Sequence, residues 1–167
     1  AYFASIEEKL EPAGPGLFAL KGQALRPSAP RFMLTAEVSN IFTQGGRTRK
    51  IHNLIFSPTL EAARKMNAAF AARGNVASDG RPIFGFSAQE LIKIVLDAST
   101  DAMLVPAHAW TPWFSIFGSK SGFDSIEECF GEFAGHIHAI ETGLSSNPQM
   151  NWRLSALDKI ALLSNSD

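Results

Sequence analysis

Apolar and polar positions recur along the chain with enough regularity to predict its elements one at a time. Residues 5–11 (SIEEKLE) read as the end of a helix, stopped by Pro12-Ala13-Gly14-Pro15-Gly16. Residues 32–42 and 51–57, rich in β-branched and aromatic side chains, predict two strands, and residues 43–48 with Gly45-Gly46 predict a hairpin turn between them. Leu60, Ala63, Met66 and Phe70 recur at helical spacing and predict a helix over 58–73, with Pro58 in its first turn and Gly74 at its C-cap. The Gly-, Pro- and Asp-rich stretch 74–86 predicts a loop. Ser87 followed by Glu90 forms a capping box for a second helix, whose Leu91, Ile94 and Val95 face inward.

The second half alternates between element types. It reads as strand 103–106, long loop 110–124, helix 125–133, strand 137–141, short helix 152–157 and strand 160–164. Strand–helix–strand repetition with continuously apolar strands predicts parallel β-structure buried on both faces. The expected fold class is α/β, as part of a (β/α) barrel or an open doubly wound sheet.

Composition narrows the class. With 167 residues, the chain predicts one domain, and 46% hydrophobic against 19% charged residues is enough for a core and too apolar for a disordered chain. Fifteen basic residues against 16 acidic ones give a net charge of −1, which argues against nucleic-acid binding through bulk positive charge while leaving room for a local basic patch. The single cysteine, Cys129, excludes an internal disulfide framework and a multi-cysteine zinc site. No apolar run approaches a membrane span, and no signal peptide opens the sequence; these points favour a cytoplasmic setting. A first residue that is Ala and a last residue directly after an apolar run suggest a piece of something longer.

Candidate chemistry lies where the apolar runs end. The first run passes into Glu37, the second-half strands pass into His108 and Glu141, and the last passes into Asp167. In parallel α/β folds the carboxyl ends of the strands form the active face. His52 starts its run, and the hairpin would return it to the rim that carries Glu37. Mixed histidine and carboxylate ligands suit Zn²⁺, Mn²⁺ or Fe²⁺ in hydrolysis, where the ions lower the pKa of a bound water and neutralise a phosphodiester oxygen. The residues are too far apart in sequence to form a local motif, so strand-end hydrogen bonding stands beside the metal reading.

The string Val105-Pro106-Ala107-His108-Ala109-Trp110-Thr111-Pro112-Trp113, with Phe117-Gly118-Ser119-Lys120-Ser121-Gly122-Phe123, is distinctive. Together with Glu141-Thr142-Gly143-Leu144-Ser145-Ser146, Asn151-Trp152-Arg153-Leu154-Ser155 and Ser164-Asn165-Ser166-Asp167, it resembles the endonuclease Q-like branch of the PHP (polymerase and histidinol phosphatase) superfamily. The likeness runs the length of the chain, and the 105–123 and 141–155 strings are its specific parts. The resemblance implies a distorted, TIM-like (β/α)₇ barrel with two or three divalent ions (Zn, Mn or Mg). It also implies metal-dependent nicking of DNA 5′ of deaminated bases or abasic sites. Glu37 matches the family's bridging carboxylate, His52 and His108 its middle histidine ligands, and Asp167 the aspartate of its closing Asp-x-His. Glu141 falls where the family carries a carboxylate near the metals.

Two family features are missing. The opening His-x-His with the acidic ligand after it has no counterpart, and the chain ends before the histidine expected two residues beyond Asp167. Residues 1–167 therefore read as the central and C-terminal part of one PHP domain, lacking its first strands and all downstream regions, with an incomplete site and little activity alone.

Other residues carry two readings each. Trp110 and Trp113, with Phe114, Phe117 and Lys120, form an aromatic loop suited either to stacking unpaired bases or to packing over the barrel mouth. Arg47, Arg49 and Lys50 suit phosphate contacts or a solvated turn, and Arg153 is a phosphate candidate near the metal rim. His136 and His138 share one strand face, which alternation directs away from Glu141 toward packing or surface. Cys129 reads as a buried helix residue, and the glycines of 74–85 lack P-loop spacing. In the leading expectation Glu37, His52, His108 and Asp167 bind metal and Glu141 and Arg153 assist catalysis, while Trp110, Trp113 and Lys120 bind lesion DNA. The rivals are a PHP phosphatase acting on a small phosphate monoester and a non-catalytic binding module.

Overall fold

The computed structural model describes residues 2–77 and 80–165. Helix α1 (Tyr2–Lys9) ends before the predicted stop, because the next three residues extend as β1 (Leu10–Pro12) and pair antiparallel with β2 (Phe18–Leu20). The Pro/Gly segment is the hairpin loop between them, closed by the Leu17 N–H donating to Gly14 O at 3.1 Å.

Strands β3 (Leu34–Gln44) and β4 (Arg47–Ser57) meet at Gly45-Gly46, whose φ values of 61° and 72° are the paired left-handed conformations that a type I′ turn demands. Helix α2 (Leu60–Ala71) starts after Thr59 rather than within Pro58, since the Thr59 hydroxyl accepts the Ala62 N–H at 3.0 Å. The predicted loop 74–86 contains a two-residue strand, β5 (Ile83–Phe84). Gly74 is required there by contact, because a Cβ would sit 2.9 Å from the Phe84 ring. Helix α3 (Ala88–Ala98) is capped by Ser87, which accepts the Glu90 N–H at 3.2 Å; the Glu90 carboxylate turns to Arg73 instead of completing the capping box. Strand β6 (Met103–Pro106) lies where predicted. Helix α4 (Ile126–Phe130) gives way to a 3₁₀ segment, Gly131–His136, where Gly131 takes a positive φ of 55°. Strand β7 (Ala139–Glu141), helix α5 (Pro148–Asn151), a 3₁₀ turn (Ser155–Leu157) and strand β8 (Ala161–Leu163) follow.

The main sheet has the order β5-β3-β4-β6. Strands β3 and β4 are antiparallel, as the predicted hairpin requires, and β3–β5 is parallel. The parallel pairing expected of the second half is met by β7–β8 but not by β6, which runs antiparallel to β4. A two-residue turn can join only antiparallel neighbours. Val38, Ser39 and Asn40 are buried in succession, so β3 is covered on both faces. The described strands fall into three sheets in a mixed α/β arrangement with no closed barrel among them.

Helices α2 and α3 pack their apolar stripes, including Met66, Phe70, Leu91 and Val95, with Ile51, Ile55 and Phe84 of the sheet. The stretch 110–124 is anchored along β4 beyond β6: Lys50 N–H donates to Ser121 O at 3.1 Å and His52 N–H to Phe114 O at 3.0 Å. No described helix is long and apolar enough to cross a membrane.

Candidate metal centre

The register that pairs Glu37 with Leu54 and Ser39 with His52 makes Glu37 and His52 diagonal neighbours on one sheet face. Strand β6 pairs with β4 up to Pro106 opposite Asn53, and two residues later the chain delivers His108 beside His52. His52 Nδ1 lies 3.1 Å from His108 Nε2 and 3.3 Å from Glu37 Oε1, and His108 Nε2 lies 3.6 Å from the same oxygen. Both histidines are buried.

These separations test whether the residues suit a cation. Ligand atoms 2.0–2.2 Å from a tetrahedral ion lie about 3.3 Å from one another, and the three observed edges bracket that value. Glu37 Oε1 is buried without a hydrogen-bond partner of good geometry, and so is Ser39 Oγ, next to His52 on the same face. Buried acceptors left in that state are costly unless a cation or donor meets them. Burial by itself would raise the Glu37 carboxyl. The contacts with His108 and His52 and the hydrogen bond and charge of Arg81 outweigh it, and hold the group ionised well below the usual carboxylate range. A half-buried carboxylate with two imidazole nitrogens fits a divalent ion of the Zn²⁺, Mn²⁺ or Fe²⁺ type.

His108 is held by its surroundings at a φ of 32°, a conformation that a side chain with a Cβ rarely adopts. The His108 N–H donates to Glu141 Oε2 at 2.8 Å and the Ala109 N–H to Glu141 O at 2.8 Å, tying the end of β6 to β7. Gly143 presses against this residue so closely that a Cβ there would lie 2.8 Å from His108 Cβ. On the other ring nitrogen, Nδ1 sits 3.1 Å from Thr111 Oγ1, which turns Nε2 toward Glu37. The ring of His52 stacks on Phe114 at 4.6 Å between centroids.

The other predicted residues lie elsewhere. Asp167 is outside the described residues. Glu141 is buried and engaged with the backbone at 108, apart from the three converging donors. Arg153 is exposed on the rim of a cleft lined by Trp110, Phe117, Ile126 and Leu157. Trp110 packs on Phe117 and donates its indole N–H to Asn151 Oδ1 at 2.8 Å. Trp113 is half exposed, with Lys50 Nζ 5.2 Å from its ring, and Lys120 is exposed. Arg49 fits neither reading given to it: it is buried over Phe123, hydrogen-bonded to Gly122 O and 2.8 Å from Glu128, so it pins the loop to the hairpin. His136 and His138 are both exposed and Cys129 is fully buried. Residue-type reasoning missed Arg81, 2.7 Å from Glu37 Oε2, and Thr111. Only the position of Arg81 just before a short strand would have marked it.

Fold and site together define a mixed α/β protein with a His–His–Glu candidate metal centre. Among solved structures it is similar to the lesion-specific endonuclease PfuEndoQ from Pyrococcus furiosus, with a TM-score of 0.75 and 28% identity over 98% of this chain and 36% of that one. Among curated proteins it is similar to the uncharacterized protein YqxK of Bacillus subtilis (strain 168), 31% identical over 120 residues, 70% of this chain and 29% of the relative. The chain thus spans about a third of the length of each. No family model matches.

Proposed function

We propose that the chain carries part of the catalytic centre of a PHP-type, metal-dependent DNA repair endonuclease that nicks 5′ of deaminated bases or abasic sites. The observation that supports this reading is the convergence of Glu37 Oε1, His52 Nδ1 and His108 Nε2, within a fold similar to that of a lesion-specific endonuclease. Those three residues, with Asp167, would hold a divalent ion, with Zn, Mn and Mg as candidates and two or three ions in the complete domain. When bound, such an ion supplies Lewis acidity toward a phosphodiester oxygen.

The chain's own residues do the positioning. Thr111 orients the His108 ring, Glu141 fixes its backbone, and Phe114 covers one face of His52 against water. Trp113 offers a half-exposed ring beside the Lys50 ammonium, suited to stacking a base near the DNA backbone. Arg153 and Lys120 are the proposed phosphate contacts.

The test uses the full natural polypeptide containing residues 1–167, with Mn²⁺ or Mg²⁺ and a duplex bearing one hypoxanthine. A single 5′ nick, lost in His108→Ala, is the expected result. Folded, metal-loaded protein that leaves hypoxanthine, uracil and abasic DNA uncut overturns the reading in favour of a small-molecule phosphatase.

A further inference from the structure

Glu37 divides its two carboxylate oxygens between different neighbours. Oε1 converges on His52 Nδ1 and His108 Nε2, at 3.3 and 3.6 Å, and has no well-formed hydrogen bond. Oε2 is 2.7 Å from Arg81 Nη2. The oxygens of one carboxylate are close enough together to chelate a single ion as a bidentate pair. An ion at the triad therefore takes one or both of them according to whether the second is free.

The position of Arg81 is built into the sheet. Ser39 N–H donates to Pro82 O at 2.9 Å, and Ile83–Phe84 pairs in register with Ser39–Asn40. Those bonds fix the backbone one residue after Arg81 beside the strand that carries Glu37, two residues before Ser39. The Arg81 side chain is 36% exposed against 21% for Glu37, so the guanidinium approaches the carboxylate from the solvent side while the imidazoles hold the buried side.

From this geometry we propose that Arg81 is a positioning residue for the metal centre: it occupies Glu37 Oε2 and restricts Glu37 to a single-oxygen ligand. Its positive charge also offsets the carboxylate's, so the triad presents two imidazoles and a charge-compensated oxygen. The inference rests on the reading of Glu37, His52 and His108 as metal ligands and is independent of the substrate.

Cobalt(II) is the probe, because four-coordinate Co²⁺ absorbs visible light far more strongly than Co²⁺ of higher coordination number. The 167-residue chain, Arg81→Ala and Arg81→Lys are loaded with Co²⁺, with circular dichroism confirming the fold of each. The expected result is an intense visible band in the parent, loss of intensity in Arg81→Ala as Oε2 joins the ion, and recovery in Arg81→Lys, which keeps a donor to Oε2. An Arg81→Ala spectrum identical to the parent's overturns the proposal. So does an Arg81→Lys spectrum matching that of Arg81→Ala, which would mean Oε2 is not held by a donor at this position. If the folded parent binds no Co²⁺ at all, the metal reading itself falls and the proposal with it.

Discussion

Glu141 and His108 are joined through a side chain and a backbone: a buried carboxylate oxygen of the one accepts the peptide N–H of the other at 2.8 Å. That bond holds a residue whose φ is 32°. A left-handed conformation at a non-glycine costs on the order of 1–3 kcal/mol and persists only where the surroundings impose it.

Replacing Glu141 by Ala orphans the buried N–H, which costs roughly 1–3 kcal/mol, and frees His108 to relax. Thermal denaturation is expected to show that loss, and a metal titration to show affinity about 10–100-fold weaker, the usual effect of losing a residue that orients a ligand. Glu141→Gln keeps an acceptor at the same place and should recover most of both.

Metal binding to the native fold should be visible as stability. Free Zn²⁺ or Mn²⁺ at a hundred times its dissociation constant is expected to add about 2.7 kcal/mol, reversed by a chelator. The melting temperature of His108→Ala should respond to neither.

Acid should act through Glu37. The native fold favours the ionised carboxylate, so the stability it contributes is complete above the ordinary carboxyl pKa of 4.5 and is lost as the pH falls from there toward the lowered native value. Denaturant unfolding of the parent and of Glu37→Gln is expected to show a constant gap at pH 6–8 that narrows below about 4.5. A gap that widens on acidification would contradict this assignment.

The loop over His52 depends on two tight glycines. A Cβ at Gly118 would meet Thr111 O at 2.6 Å and Pro112 O at 2.8 Å, and one at Gly122 would meet the backbone of 115–118. Gly118→Ala or Gly122→Ala should destabilise the protein by about 1–3 kcal/mol, and hydrogen exchange should locate the loosening at 110–124.

Burial pushes the Cys129 thiol up, and the neighbouring Arg49 charge only partly opposes this. The thiolate is the reactive form, so Ellman's reagent at pH 8 should leave the native protein unmodified and react fully once denaturant is added.

The hairpin, the helix at 58–73, the helix capped by Ser87 and the strand at 103–106 were legible because local signals specify them: paired glycines, cap hydroxyls and a 3.6-residue apolar period. Glu37 and His108 were legible as residues that follow apolar runs, and His52 as one that opens its run. The predicted hairpin returned His52 to the rim of Glu37, and the resemblance joined His108 to them; the antiparallel pairing of β6 with β4, which delivers His108, leaves no mark in apolar content. Arg49 was misread for a related reason: its position on a turn says nothing of Phe123 and Glu128, which reach it from more than 70 residues away in the chain. Arg81 was invisible because its partner is set by the Pro82–Ser39 backbone bond rather than by any motif.

The glycine turn between β3 and β4 also sets an order of assembly. Glu37 and His52 meet through a short hairpin, a kind of element that closes within about 1–10 μs. His108 must cross a separation of 56 residues to reach His52, and the longer closure costs about 1 kcal/mol more in chain entropy. Two donors are thus in place as soon as the hairpin zips, and the third arrives when the second half of the chain docks. A nascent chain holds a loose two-donor half-site before it can grip an ion firmly, so tight capture reports that residues up to at least 108 have joined the sheet.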